Sequence, residues 1–210
     1  MADFHRLTNS DLTVVASDSV GQEMLVLNHR TAPNCPVAWA VRMSMSIPFL
    51  WWEVRWASAW GTYRGRDISG HAIVDGGVLS NFPIDLIDGT NPENIALMGN
   101  TDPMAAGNLG LLIDETRDVM GAGSRHEADG VDDVEGDLSN HVKNIKTVKR
   151  ITRLIETMRT AHDNRAILDH EKDICRLPAK GYGTTEFDMS GPRLDALVEA
   201  GRTAMARYFG

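Results

Sequence analysis

The sequence predicts an α/β fold, and three observations carry that prediction. Short β-branched apolar runs at 12–16 and 23–27 read as strands. Apolar positions stepping by three or four from 139 to about 165 read as an amphipathic helix, and the two kinds of segment are interleaved along the chain.

Taken in order, Leu12–Ala16 and Glu23–Leu27 flank Asp18-Ser-Val-Gly21, whose turn chemistry makes them a β-hairpin. Pro36 stands where a helix can start, and the packed apolar residues that follow predict a buried helix over about 37–46, which Pro48 ends. Leu50, Trp52, Val54 and Trp56 alternate with Trp51, Glu53 and Arg55, the period of a strand. A second hairpin is expected from Gly65–Ile68 through Ser69-Gly70 into His71–Asp75, and Gly76-Gly77 breaks that strand. Asn94–Met98 reads as a buried strand and 104–120 as a helix ending near Gly121. Six of the eleven residues from 127 to 137 are acidic, so 121–137 reads as a mobile loop. Beyond the long helix, Ile174–Leu177 is strand-like. Ser190 or Gly191 then caps a last helix with Leu194, Leu197, Val198, Gly201, Met205 and Tyr208 on its inner face.

Composition narrows the function. A chain of 210 residues with 42% apolar content can bury a sizeable core. A net charge of −8 argues against a sequence-independent nucleic-acid binder, which needs a basic footprint, so no nucleic-acid partner is expected. Cys35 and Cys175 lie far apart with no ligand-like spacing, which fits a reducing, cytoplasmic setting and gives neither a zinc motif nor a disulfide framework. The acidic stretch fails the spacing of a calcium loop, and neither metal nor cofactor is expected. The most apolar window, Val37–Trp52, is interrupted by Arg42, Ser44, Ser46 and Pro48, short of the roughly 20 apolar residues of a membrane span.

The stretch that points to chemistry is Val74-Asp75-Gly76-Gly77-Val78-Leu79-Ser80-Asn81-Phe82-Pro83. An Asp at a strand end followed by two glycines projects its carboxylate from the rim of a sheet, and the glycines tolerate positive φ and close approach. The same three residues also make an ordinary Asx turn.

Read with Ala40-Val-Arg-Met-Ser-Met-Ser-Ile-Pro48, the strand and hairpin after it, and Asn81-x-Pro83, the order resembles the patatin-like phospholipases. Gly183–Ser190 and the helix after it also look like the closing segment of bacterial members. The likeness covers about residues 11–100 and 180–207. It implies a partial three-layer α/β/α fold with a mixed sheet and C-terminal helices. Residues 1–120 are then the C-terminal part of the catalytic domain, 121–137 an acidic loop and 138–210 a helical tail on the same domain. It also implies that Asp75 is the base of a serine–aspartate dyad, that Gly76 and Gly77 shape its turn, and that Asn81 and Pro83 fix the loop leaving it. The implied reaction is acyl transfer from a lipid ester through an acyl-enzyme. A free Asp, with a pKa of about 3.9, is a weak base, so the dyad must dehydrate the carboxylate and supply an oxyanion hole.

The family's nucleophile sits in a Gly-x-Ser-x-Gly elbow upstream of the hairpin, and no such stretch occurs in these 210 residues. The nearest, Gly121-Ala-Gly-Ser-Arg125, follows Asp75 and lies in an expected loop. The expectation is therefore a truncated chain that lacks its nucleophile. The alternative is a non-catalytic fragment that binds lipid or a partner.

Three further features have two readings each. Six of thirteen aromatics fall within residues 49–63, and they read either as a core strand or as a lipid-facing surface in peripheral contact with a membrane, with Trp51 and Trp60 the interfacial candidates. His71 reads as an exposed turn histidine, because four residues of strand put it about 13 Å from Asp75. The long helix carries Lys143, Lys146, Lys149, Arg150, Arg153, Arg159 and Arg165 against Glu156 and Asp163. That face is either solvated or attracted to anionic lipid. Oligomeric state and head-group preference have no sequence signal.

Overall fold

The computed structural model describes residues 1–48, 50–87, 91–99, 107–121, 166–183 and 189–210. The acidic stretch and the long basic helix predicted at 139–165 lie outside the described residues. The chain divides into two compact units, one of residues 1–106 and 140–169, the other of 107–139 and 170–210. Strands and helices alternate through the chain, an α/β architecture.

The first unit begins with α1 (Ala2–Thr8) and the hairpin of β1 (Val14–Asp18) and β2 (Glu23–Leu27). Val14 pairs with Leu27 and Asp18 with Glu23, and the connecting turn is tied by the Asp18 carboxylate, which accepts from the amides of Val20 and Gly21 at 2.9 Å each. The hairpin is where the alternation of turn and strand residues predicted it. Next comes α2 (Val37–Ser44), started by extended Pro36, whose fixed φ suits a helix entry. Then follow β3 (Val54–Arg55), β4 (Ala72–Asp75) and α3 (Pro92–Met98).

Among the described residues the sheet has the order β2-β1-β4-β3 and is antiparallel throughout, with Ala16 opposite Asp75 and Val54 opposite Ile73. Helix α2 packs on β1 and β4. Leu25, Leu27, Met43, Trp56, Tyr63, Ile68 and Ile73 form the core with Ala16, Ala40 and Cys35. Trp56 is buried with its indole N–H donating to the Gly61 carbonyl at 2.9 Å, so the cost of burying that polar group is met.

Several expectations are corrected. The alternation at 50–56 yields a strand of only two residues, and Trp52 is 89% exposed, because β4 offers β3 partners only at Ala72 and Ile73. Residues 65–68 do not pair with β4; they close a local turn in which Tyr63 bridges Arg66, and β3 is the partner instead. Helix α2 buries only Ala40 and Met43. Asn94–Met98 is helical: Asn91 accepts from the Glu93 amide at 2.9 Å and Pro92 opens the first turn, so capping chemistry decides a run whose apolarity alone is ambiguous.

In the second unit, β5 (Gly110–Asp114) runs parallel to β6 (Ile174–Pro178), pairing Gly110 with Ile174 and Asp114 with Pro178. The helix expected over 104–120 is thus a strand in its described part. A partner some sixty residues further along the chain decides it, which a local pattern cannot show. Helix α4 (Gly191–Phe209) packs on β6. Its half-buried side includes Leu197, Gly201, Met205 and Tyr208 as predicted, whereas Leu194 and Val198 are exposed and Ala196, Ala200 and Ala204 take the inner positions.

Candidate active site

Asp75 is the last residue of β4, half-buried, at the point where the strand turns into a single helical turn over Gly76–Val78. Its Oδ1 accepts the Gly77 amide at 2.6 Å, so the turn's own backbone orients the carboxylate. Neither glycine has positive φ, contrary to the expectation. Gly76 is required for another reason: a Cβ there meets the Val15 carbonyl oxygen at 2.6 Å, because β1 passes directly against the turn. Gly77 contributes its N–H.

Behind the aspartate lies the end of α2. The Asp75 amide donates to the Ser46 carbonyl at 3.0 Å. The Ser46 hydroxyl is fully buried, donates to the Arg42 carbonyl at 2.6 Å and accepts from the Arg42 guanidinium at 2.5 Å, while a second Arg42 nitrogen reaches the Trp52 carbonyl at 3.1 Å. Ser46 is therefore an anchor whose hydroxyl is engaged in both directions, not a poised nucleophile. The sequence puts Arg42 and Ser46 within the buried helix expected over about 37–46 but does not reveal this clamp, whose only local signal is their i, i+4 spacing.

Past the turn, the Leu79 and Ser80 amides return to the Gly76 carbonyl at 3.1 and 3.2 Å, and Ser80 Oγ accepts the Phe82 amide at 3.3 Å. Asn81 is exposed, and Pro83 leads into a turn over Ile84–Ile87 whose first residue is buried.

Of the two lipid-facing candidates the structure brings only Trp51 to the surface, with Arg42 5.7 Å from its ring centroid. Trp60 is buried: it packs edge-on to Trp56 at 5.5 Å and against Trp39 at 5.4 Å, which corrects its assignment. Among the described residues of 37–52, the large apolar side chains Trp39, Val41, Met45, Ile47, Leu50, Trp51 and Trp52 are exposed, a belt from α2 into the segment before β3.

His71 is not a solitary turn residue. Its Nδ1 donates to the fully buried Asp18 carboxylate at 2.7 Å. Burial works to raise the Asp18 pKa, but the bonds from Gly21, His71 and Val20 outweigh it and hold the carboxyl below the ordinary 3.8. The β1–β4 register creates this pair from residues 53 positions apart, and no spacing rule could have found it. Among the described residues, the His, Cys, Asp and Glu side chains close enough to share a metal ion are His5, Asp11 and His29, none of them in the Asp75 turn.

The second unit has its own cleft of about 460 Å³ between β6 and α4, lined by Arg176, Arg207, Glu199 and Cys175 among others. At its edge Asp114 is held by Arg117 and Arg176, each at 3.3 Å. No helix among the described residues is long and apolar enough to cross a membrane.

Residues 3–88, which include the whole four-stranded sheet and the Asp75 turn, match the family model of patatin-like phospholipases. The chain is also 30% identical over 207 residues to an uncharacterized protein of Bacillus subtilis (strain 168), YqhO. That alignment takes in 95% of this chain and spans 57% of the relative's length. The α/β sheet and the family match agree, and over residues 3–88 the chain is similar to the patatin-like phospholipases.

Proposed function

We propose that the chain carries the aspartate half of a serine–aspartate lipid acyl hydrolase, with Asp75 as general base, and that the serine and oxyanion donors lie in a part of the protein outside these 210 residues. The observation that carries this reading is the Asp75 turn itself: a strand-end carboxylate oriented by the Gly77 amide and backed by Ser46. A base in that position takes the proton of an attacking serine and passes it to the departing alcohol or lysolipid as the ester C–O bond breaks and the acyl-enzyme forms; Asp75 then takes a proton from the water that attacks the acyl-enzyme and returns it to the serine as the fatty acid leaves. The apolar belt of Trp51, Trp52, Leu50 and Ile47 lies on the segment that follows the Ser46 anchor, and it offers a surface for peripheral contact with lipid.

The test is to express the protein together with the coding sequence upstream of the Met1 codon and to compare hydrolysis of a p-nitrophenyl ester by the parent and Asp75→Asn. Loss of the base lowers turnover by about 10²- to 10⁴-fold with folding intact. A variant that keeps more than about a tenth of the rate makes Asp75 an Asx-turn residue only.

A second reading, a non-catalytic lipid- or partner-binding fragment, is favoured by the exposed belt alone. It gains if the upstream sequence holds no Gly-x-Ser-x-Gly elbow.

A further inference from the structure

Three side chains from separate segments meet beside the hairpin: His5 on α1, Asp11 in the linker before β1, and His29 just after β2. Their ligand atoms all lie within 4.8 Å of one another. His5 Nδ1 is 2.9 Å and His29 Nδ1 is 3.2 Å from the same oxygen, Asp11 Oδ1. A tetrahedral zinc ion with ligands at about 2.0–2.1 Å separates them by about 3.3 Å, so the His29 spacing is that of a coordination edge and the exposed His5 ring has only to move back by about 0.4 Å.

We propose that His5, Asp11 and His29 form a binding site for one divalent transition-metal ion, Zn²⁺ being the ion that two imidazoles and a carboxylate suit best. Three features support it. The first is that His29 Nδ1 is buried without a hydrogen-bond partner, since its approach to Asp11 fails the geometry of a hydrogen bond, and a metal ion meets that need. The second is convergence: the His5 and His29 rings and the Asp11 carboxylate come from three separate segments, yet their ligand atoms all lie within 4.8 Å of one another. The third is that Arg30 holds the other carboxylate oxygen, Oδ2, at 2.9 Å, which orients Asp11 and leaves Oδ1 to face the two rings.

The two rings now stack with centroids 3.9 Å apart and planes 6° from parallel, so a single ion cannot lie in both planes. One of them must turn. His5 is able to, with its side chain 39% exposed on a helix that buries none of its residues. Binding would staple α1 to the hairpin without touching the Asp75 turn.

The experiment uses the untagged chain, stripped with EDTA and dialysed, titrated with ZnCl₂ by calorimetry and melted with and without Zn²⁺. The expected result is one ion per chain and a Zn²⁺-dependent rise in melting temperature. His5→Gln, on the exposed helix, should leave the metal-free melt unchanged and weaken binding at least about tenfold, since even outer-shell changes cost ten- to a hundred-fold. His29→Gln should weaken binding by at least as much. No binding, more than one equivalent ion, or an unchanged affinity in His5→Gln overturns the proposal. Co²⁺ in place of Zn²⁺ supplies a readout independent of stability: an intense visible absorption band marks the four-coordinate site, and a weak octahedral band marks surface binding.

Discussion

The amide of Asp75 donates to the carbonyl of Ser46 at 3.0 Å, and this bond joins the end of β4 to the end of α2. Ser46 is itself fixed by Arg42 from one turn earlier in the helix. The position of the Asp75 carboxylate is therefore set from three sides: β1 through the Ala16 register, the Gly77 amide from ahead, and the Arg42–Ser46 clamp from behind. Precise placement of this kind is what a catalytic group needs from its surroundings.

The clamp makes Ser46→Ala destabilising by about 1–3 kcal/mol, because the Arg42 guanidinium loses a buried acceptor. Ser17→Ala is the contrasting case. The Ser17 hydroxyl is buried with no hydrogen-bond partner, so its removal should be neutral or stabilising. Chemical denaturation of both variants checks the pair, and equal losses would mean the clamp contributes nothing particular.

Gly76→Ala should cost about 1–3 kcal/mol, since its methyl group meets the Val15 carbonyl of a central strand and one of the two must move. Gly107→Ala, with nothing within 4 Å of the added carbon, is the control and should be close to neutral. A Gly76→Ala protein as stable as the control would show that β1 and the turn are not in close contact.

Asp18 gives stability a pH dependence of known sign. Its carboxyl titrates below the ordinary 3.8 in the folded chain, so the stability it contributes is complete above that value and is lost as pH falls through the lower, folded one. The groups around it, His71 and the Val20 and Gly21 amides, all favour the charged form. Asp18→Asn should therefore lower stability at neutral pH and flatten the acid limb of a melting-temperature profile below about pH 4. A variant that parallels the parent through that range would remove the Asp18–His71 pair from the account.

The legible parts of the fold were those decided by neighbours in the chain. The hairpin at 14–27, the start of α2 at Pro36, β6 and α4 all follow from turn residues, proline and local periodicity. The misread parts depended on distant partners. Leu111-Leu112-Ile113 becomes a strand because residues 174–178 lie alongside it, and Trp52 is exposed because β4 offers β3 no partner at that position. Asn94–Met98 is the exception, since Asn91-Pro92 was a readable cap that the apolar run overshadowed. At the candidate site the Asp-Gly-Gly stretch stood out through residue type alone. The Ser46 anchor, the His71–Asp18 pair and the His5–Asp11–His29 cluster required the register of the sheet and the approach of α1 to it, which no linear spacing encodes.

The belt of Trp39, Val41, Met45, Ile47, Leu50, Trp51 and Trp52 leads to the last prediction. Single exposed apolar side chains are ordinary on a protein surface, but seven within fourteen consecutive positions form a continuous apolar stretch of chain that water solvates poorly. The isolated chain should therefore self-associate and bind a hydrophobic dye strongly. Trp52 is the side chain to remove first: at 89% exposure it contributes almost no packing, so Trp52→Ser should change stability by no more than about 0.5 kcal/mol while reducing both dye binding and association. Sedimentation velocity at several concentrations, with dye titrations of parent and variant, separates the surface effect from any loss of folding. A monodisperse parent with weak dye binding would show that the belt is masked in solution, and would remove the support it gives to contact with lipid.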